Sequence, residues 1–99
     1  MSGFRLSEEA EAELDGIWLY VARESGAIEI ASRIVDSITD RFWFLAEHPY
    51  AGRHRDEDLR PGLRSFPAEG YVIIYRVEDE TAVILHILHG SQDIAAFFQ

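Results

Sequence analysis

The sequence predicts an α+β domain in which a helical hairpin packs on one face of a small antiparallel sheet, in the order β-α-α-β-β-β. Three observations carry this. The first half shows apolar residues at helical spacing, the second half switches to β-rich runs, and a single short apolar segment precedes the helices. Ninety-nine residues, 47% of them hydrophobic, suit one domain, 1–99, with its own core. There is no Gly/Ser linker, repeat or low-complexity tract to divide it.

Phe4-Arg5-Leu6 reads as a short strand. Ser7 with Glu8, Glu9 and Glu11 behind it has the pattern of a capping box, and the acids suit the positive end of a helix dipole. The helix runs to about Glu24. Ala10, Leu14, Ile17, Trp18 and Val21 form its stripe, and Gly26 supplies a C-terminal turn. A second helix spans about Ala27 to Glu47, with the stripe Ala27, Ile30, Ala31, Ile34, Ile38, Phe42 and Leu45. His48-Pro49 ends it, because the residue before proline avoids the α region. Residues 50–62 read as a loop. Leu63–Phe66 is a short strand, Tyr71–Val77 and Thr81–His89 are strong ones, and Glu78-Asp79-Glu80 is the turn between the last two. Asp93–Phe98 is a short apolar tail.

Alternation makes both faces of the sheet apolar. Tyr71, Ile73, Tyr75 and Val77 oppose Val72 and Ile74, while Val83, Leu85 and Ile87 oppose Ile84 and Leu88. Two helices cover one face. The other, with Val72 and Ile74, is therefore expected to await a partner protein. Leu19 and Tyr20 fall outside the first helix's stripe and Trp43 lies opposite the second's, so these three are candidate interface anchors.

Composition excludes several chemistries. The absence of cysteine removes disulfides, thiolate metal sites and a cysteine nucleophile. Eighteen acids against nine bases give a net charge of −9, and all nine bases are arginine. Phosphate backbones repel such a chain on average, so direct nucleic-acid binding is not expected. No apolar run reaches the roughly 20 residues of a membrane helix, and Met1–Arg5 leads into no signal-type apolar segment, so a cytoplasmic location is expected. His86 and His89 are three apart on a strand and point to opposite faces, which prevents joint chelation. His48 and His54 have no ligand spacing, and the acidic runs 56–58 and 78–80 match no calcium loop. Nucleotide-loop and serine-nucleophile motifs are absent, and no cofactor is expected. The remaining recognition candidate is the cluster Arg53, Arg55, Arg60 and Arg64. Three acids and His54 interleave it, and a near-neutral mixture of that kind fits a specific protein contact.

Five segments in order carry a family resemblance. They are Leu6–Leu14 with Ile17-Trp18; Leu45-Ala46-Glu47-His48-Pro49 with Gly52-Arg53; Arg60–Pro67; Tyr71–Arg76; and Ile87-Leu88-His89-Gly90. Together, over residues 4 to 98, the chain resembles the RelE/ParE toxins of bacterial type II toxin–antitoxin systems. The resemblance implies the same helical hairpin on a small sheet, and an antitoxin whose C-terminal segment wraps the toxin. It also offers two activities. RelE-like members cleave mRNA on the ribosome with basic residues and a tyrosine, whereas ParE-like members poison DNA gyrase. Val72, the segment Ser91-Gln92-Asp93, and Phe97-Phe98 stand where RelE-like enzymes carry arginine, arginine and tyrosine. Valine and phenylalanine cannot serve as general acid or base. The resemblance therefore implies a non-enzymatic, ParE-like gyrase inhibitor neutralised by a ParD-like antitoxin. Many ParE-like sequences carry arginine where this chain has Gln92. The implied target-facing residues are Arg53, Arg60, Arg64, His89, Gln92, Asp93, Phe97 and Phe98; the implied antitoxin-facing ones are Leu19, Tyr20, Trp43, Val72 and Ile74. Two alternatives stand beside this reading: an mRNA endonuclease using Arg64, His86 and His89, and a relic that binds antitoxin without toxicity.

Overall fold

The computed structural model describes residues 3–98; Met1, Ser2 and Gln99, the ends of the expected domain, lie outside the described residues. The elements are β1 (Phe4–Leu6), α1 (Glu8–Ser25), α2 (Ile28–Glu47), β2 (Arg53–His54), β3 (Arg64–Ala68), β4 (Tyr71–Glu78), β5 (Thr81–His89) and α3 (Ile94–Phe97). The expected β-α-α-β-β-β layout is present, with β2 and α3 as small additions. The sheet order is β1-β5-β4-β3-β2. β1 runs parallel to β5 and every other pairing is antiparallel, so the sheet is mixed rather than wholly antiparallel. The helical hairpin and strands β2–β4 lie between β1 and β5 in the chain, and β5 returns from the β4 turn to run alongside β1 in the same direction.

The helix ends follow their sequence signals. Ser7 Oγ accepts from Ala10 N at 3.0 Å, which satisfies one of the otherwise unpaired first-turn donors. Because the residue three positions on is Ala10, the reciprocal half of a capping box is missing. Glu8, Glu9 and Glu11 act through the helix dipole instead. The Ser7 hydroxyl also donates to Leu85 O at 2.8 Å, and its N–H to Ile84 O at 3.0 Å, so the start of α1 is fastened to β5. Gly26, with φ 69°, closes α1 in the left-handed region.

The main core lies between the hairpin and the sheet. Ala10, Ile17, Ile38, Phe42 and Leu45 from the helices meet Ile73, Tyr75, Ala82, Ile84 and Ile87 from the strands. β5 departs from strict alternation. Ile74 pairs with His86 and Tyr75 with Ile84, so Leu85 is an extra residue opposite no partner. This bulge resets the phase of β5. Ile84 and Ile87 share the main core, and Leu85 and Leu88 share the other face, which corrects the expected grouping of Val83, Leu85 and Ile87.

The second sheet face also departs from expectation. Leu63, Ile74 and Leu88 form a second buried cluster, roofed by Leu59 from the loop and by Ile94 and Phe98 from the tail. Ile74 is fully buried, so it offers no surface to an antitoxin, and Val72 is half-covered in the same cluster. The expectation of an open face fails because isolated apolar residues in irregular segments fold over it. Arg60 holds that cover in place: its Nη2 and Nε donate to Phe98 O at 2.9 and 3.3 Å, and its guanidinium lies 5.8 Å from the Phe98 ring centre.

Candidate functional site

With both sheet faces occupied, the surface features that bear on recognition include a groove and two exposed aromatic patches. The groove runs between α1 and the C-terminal end of β5. Its α1 wall is Glu13, Gly16, Ile17 and Tyr20; facing them are Tyr71, Ile87, Leu88, His89, Gln92 and Phe97. It holds about 440 Å³. Tyr20 and Phe97 stand at its rim, 59% and 46% exposed.

The groove exists where β1 has ended and β5, still paired with β4 on its other side, continues with this edge open. The outward-facing groups of β5 are met there by side chains. Glu13 Oε1 accepts from Ile87 N at 2.8 Å, and Gln92 Oε1 accepts from His89 N at 3.2 Å. The other Glu13 oxygen meets His86 Nδ1 at 3.0 Å, in a pair whose side chains are about one-fifth to one-quarter exposed. His86 in turn lies edge-on to Phe97 and Phe98, 4.9 and 5.7 Å between ring centres. Burial pushes the Tyr71 phenol above its ordinary pKa, with the Tyr20 phenol adding to the shift. The Tyr71 ring lies edge-on to the His89 ring, 5.3 Å between centres.

The expected antitoxin-facing and target-facing residues do not form two separate surfaces. Tyr20 from the first set and His89, Gln92 and Phe97 from the second line this one groove. Leu19 is exposed on α1 outside it, at 49%. Trp43 sits elsewhere, 56% exposed with its ring edge-on to Phe4 at 4.9 Å, in an aromatic run that Phe4 continues to buried Phe42. A further patch surrounds Phe44, which stacks on Phe66 at 5.4 Å and neighbours His48, Pro49 and Tyr50. Asp93 caps α3 by accepting from Ala96 N, and Phe98 roofs the second core.

The arginine cluster is largely engaged within the chain. Arg55 binds Asp58 through Nε and Nη2 and reaches Ser65 Oγ, and that bonding holds the Asp58 carboxyl below its usual range. Arg60 clasps the tail as described. Arg64 Nη1 donates to Tyr50 O and Gly52 O at 3.0 and 2.9 Å, while its Nη2 approaches His54 and its guanidinium covers the Tyr50 ring at 5.1 Å. Arg53 is exposed on the short edge strand β2. At the other edge, Glu78 bonds both Arg76 and Arg5, which lowers its pKa and ties β1 to the β4–β5 turn.

Glu13, Gly16 and Tyr71 are groove residues that pattern reading passed over. Gly16 carried a usable signal, as a glycine in mid-helix; the edge-capping role of Glu13 had none. Among the described residues, no group of three or more His, Asp or Glu side chains is placed to hold a metal ion, and no helix is long and apolar enough to cross a membrane.

The described residues thus form a small mixed sheet under a helical hairpin, with a shallow groove and aromatic patches on its surface. The family model described as "ParE toxin of type II toxin-antitoxin system, parDE" matches residues 4–94. The chain belongs to this family and is a ParE-type toxin of a type II toxin–antitoxin system. It is 38% identical to Toxin ParE3 of Caulobacter vibrioides over 84 residues, covering 85% of this chain and 82% of the relative. Toxin ParE1 of the same organism is 35% identical over 96 residues and 97% of each chain. Toxin RelE3, also from that organism, is 41% identical over 62 residues, 63% of this chain and 67% of the relative. Among solved structures, the chromosomal ParDE toxin–antitoxin system from P. aeruginosa aligns with a TM-score of 0.77 and 25% identity, over 90% of this chain and 96% of that one.

Proposed function

We propose that this chain inhibits DNA gyrase by binding it, without chemistry of its own, and is neutralised by a tightly bound ParD-like antitoxin. The observation that carries the reading is the groove, in which exposed Tyr20 and Phe97 converge with His89 and Gln92 on a chain of the ParE family. Amphipathic aromatic side chains over an apolar floor are the usual anchors of protein interfaces. Trp43 and Leu19 extend the candidate antitoxin-facing surface over the hairpin, and Arg53, exposed on β2, is a candidate contact for a target.

The relative named Toxin RelE3 keeps mRNA cleavage in view as a second reading. Its candidate groups do not converge. Arg64 sits on the strand line Arg64–Tyr75–Ile84, whereas His89 is at the far end of β5 opposite Tyr71. At sheet spacings that separation is roughly 13 Å along the strands and about 10 Å across them. His86 is already bound to Glu13.

The test is growth. Expression of the chain alone should arrest dividing cells, and co-expression of the antitoxin-type reading frame adjoining its own should restore growth and give a complex that co-purifies. Normal growth without that partner would leave the antitoxin-binding relic as the reading.

A further inference from the structure

Gly16 lies in the interior of an 18-residue helix, the place where glycine is least favourable of all residues except proline. The later glycines each have a reason within the chain. Gly26, Gly62 and Gly70 have positive φ, while a Cβ at Gly52 or Gly90 would strike the Tyr75 ring or Gly70 O at 2.8 Å. Gly16 has neither reason: its φ is ordinary, and a Cβ built there meets nothing within 4 Å. The missing side chain serves no packing inside the molecule. Gly16 is exposed in the groove wall, with Glu13 one turn before it and Tyr20 one turn after, on the same helix face. The gap lets an outside group reach the α1 backbone.

We infer that Gly16 is the close-approach point of the antitoxin: an apolar anchor on one antitoxin segment packs against the bare α1 backbone between Glu13 and Tyr20, with a basic residue beside it at the Glu9–Glu13 end. This rests on the antitoxin reading above. Charge selects that occupant. The chain carries −9 overall, Glu13 is the carboxylate of the groove, and Glu9, exposed one turn before it on α1, lines the adjoining depression together with Arg60 and Arg76. The groove floor of Ile17, Ile87 and Leu88 supplies the apolar contact, and Arg23, two turns beyond Gly16 on the same face, gives the site a basic opposite end. The segment's orientation along α1 follows from those two ends.

The decisive feature is a pair of effects with opposite sign. Gly16→Ala improves helix propensity with no clash, so the free chain should melt about 4–8 °C higher. The same methyl intrudes on the partner, so the dissociation constant for the co-purified antitoxin should rise at least tenfold. Gly16→Leu, a good helix former that fills the space, should raise it a hundredfold or more. Titration of both variants and the unmodified chain with that antitoxin, alongside their melting curves, measures this. Unchanged affinity in both variants overturns the inference and leaves the proposed function intact. A lower melting temperature for Gly16→Ala also overturns it, because the glycine would then serve the fold. Failure of the unmodified chain to bind the antitoxin overturns the reading beneath it.

Discussion

Replacing Tyr75 with alanine should cost about 3–5 kcal/mol of folding stability, the range for deleting a buried aromatic side chain. Tyr75 is fully buried at the centre of the main core. Its hydroxyl donates to Pro49 O at 2.8 Å and accepts from Gly52 N at 2.7 Å, so one side chain both fills the core and pins the segment that leaves α2. Burial raises the phenol's pKa above its ordinary value. Tyr75→Phe separates the two roles. It keeps the ring and orphans two backbone groups, at a cost of about 1–3 kcal/mol. Gly52 shows how tight the fit is, since a Cβ there would lie 2.6 Å from Tyr75 Cε1. With total stability typically about 5–15 kcal/mol, Tyr75→Ala should leave a chain near unfolding at ordinary temperature. Urea denaturation of the two variants measures both numbers. A loss under 1 kcal/mol for Tyr75→Ala would contradict this packing.

The second large effect is expected at Glu13. Its carboxylate accepts from Ile87 N with one oxygen and meets His86 Nδ1 with the other, closing the edge of β5 beyond the end of β1. A hydrogen bond to a charged acceptor contributes about 1.5–3 kcal/mol, and its removal leaves the Ile87 N–H on a sheet edge with no strand beside it. Glu13→Ala should therefore destabilise by about 2 kcal/mol. Glu13→Gln retains an oxygen for Ile87 and should lose less than half as much. Amide exchange at Ile87 reports the same contact locally, accelerating in Glu13→Ala and staying protected in Glu13→Gln. Equal exchange in both variants would show that the carboxylate does not close the edge.

Both residues illustrate what sequence patterns convey. The helices, their ends at Ser7, Gly26 and Pro49, and the strands from Tyr71 to His89 follow from periodicity and local backbone chemistry. β2 does not, because Arg53 and His54 form a strand only through pairing with Ser65 and Arg64. The Leu85 bulge does not either: an unbroken apolar run contains no mark of where its phase slips. Leu59, Ile94 and Phe98 cover the second sheet face from segments without periodicity, so Ile74 passes from presumed surface to core. For the site, Tyr20, His89, Gln92 and Phe97 were all legible as candidates, and tertiary structure alone brings them to one groove. Arg60 and Arg64 read as free recognition groups because sequence does not show acceptors distant along the chain. Phe98 O, Tyr50 O and Gly52 O are such acceptors, and they occupy the guanidiniums within the fold.

The proposed toxin acts on DNA gyrase through binding and is silenced by its antitoxin. The most direct measurement is gyrase supercoiling and DNA cleavage with the purified chain, with and without the co-purified antitoxin. The chain should suppress supercoiling and accumulate cleaved DNA, and an equimolar amount of antitoxin should abolish both. Undisturbed gyrase, in a preparation that still binds antitoxin and arrests cells, would contradict it and direct attention to mRNA cleavage on the ribosome.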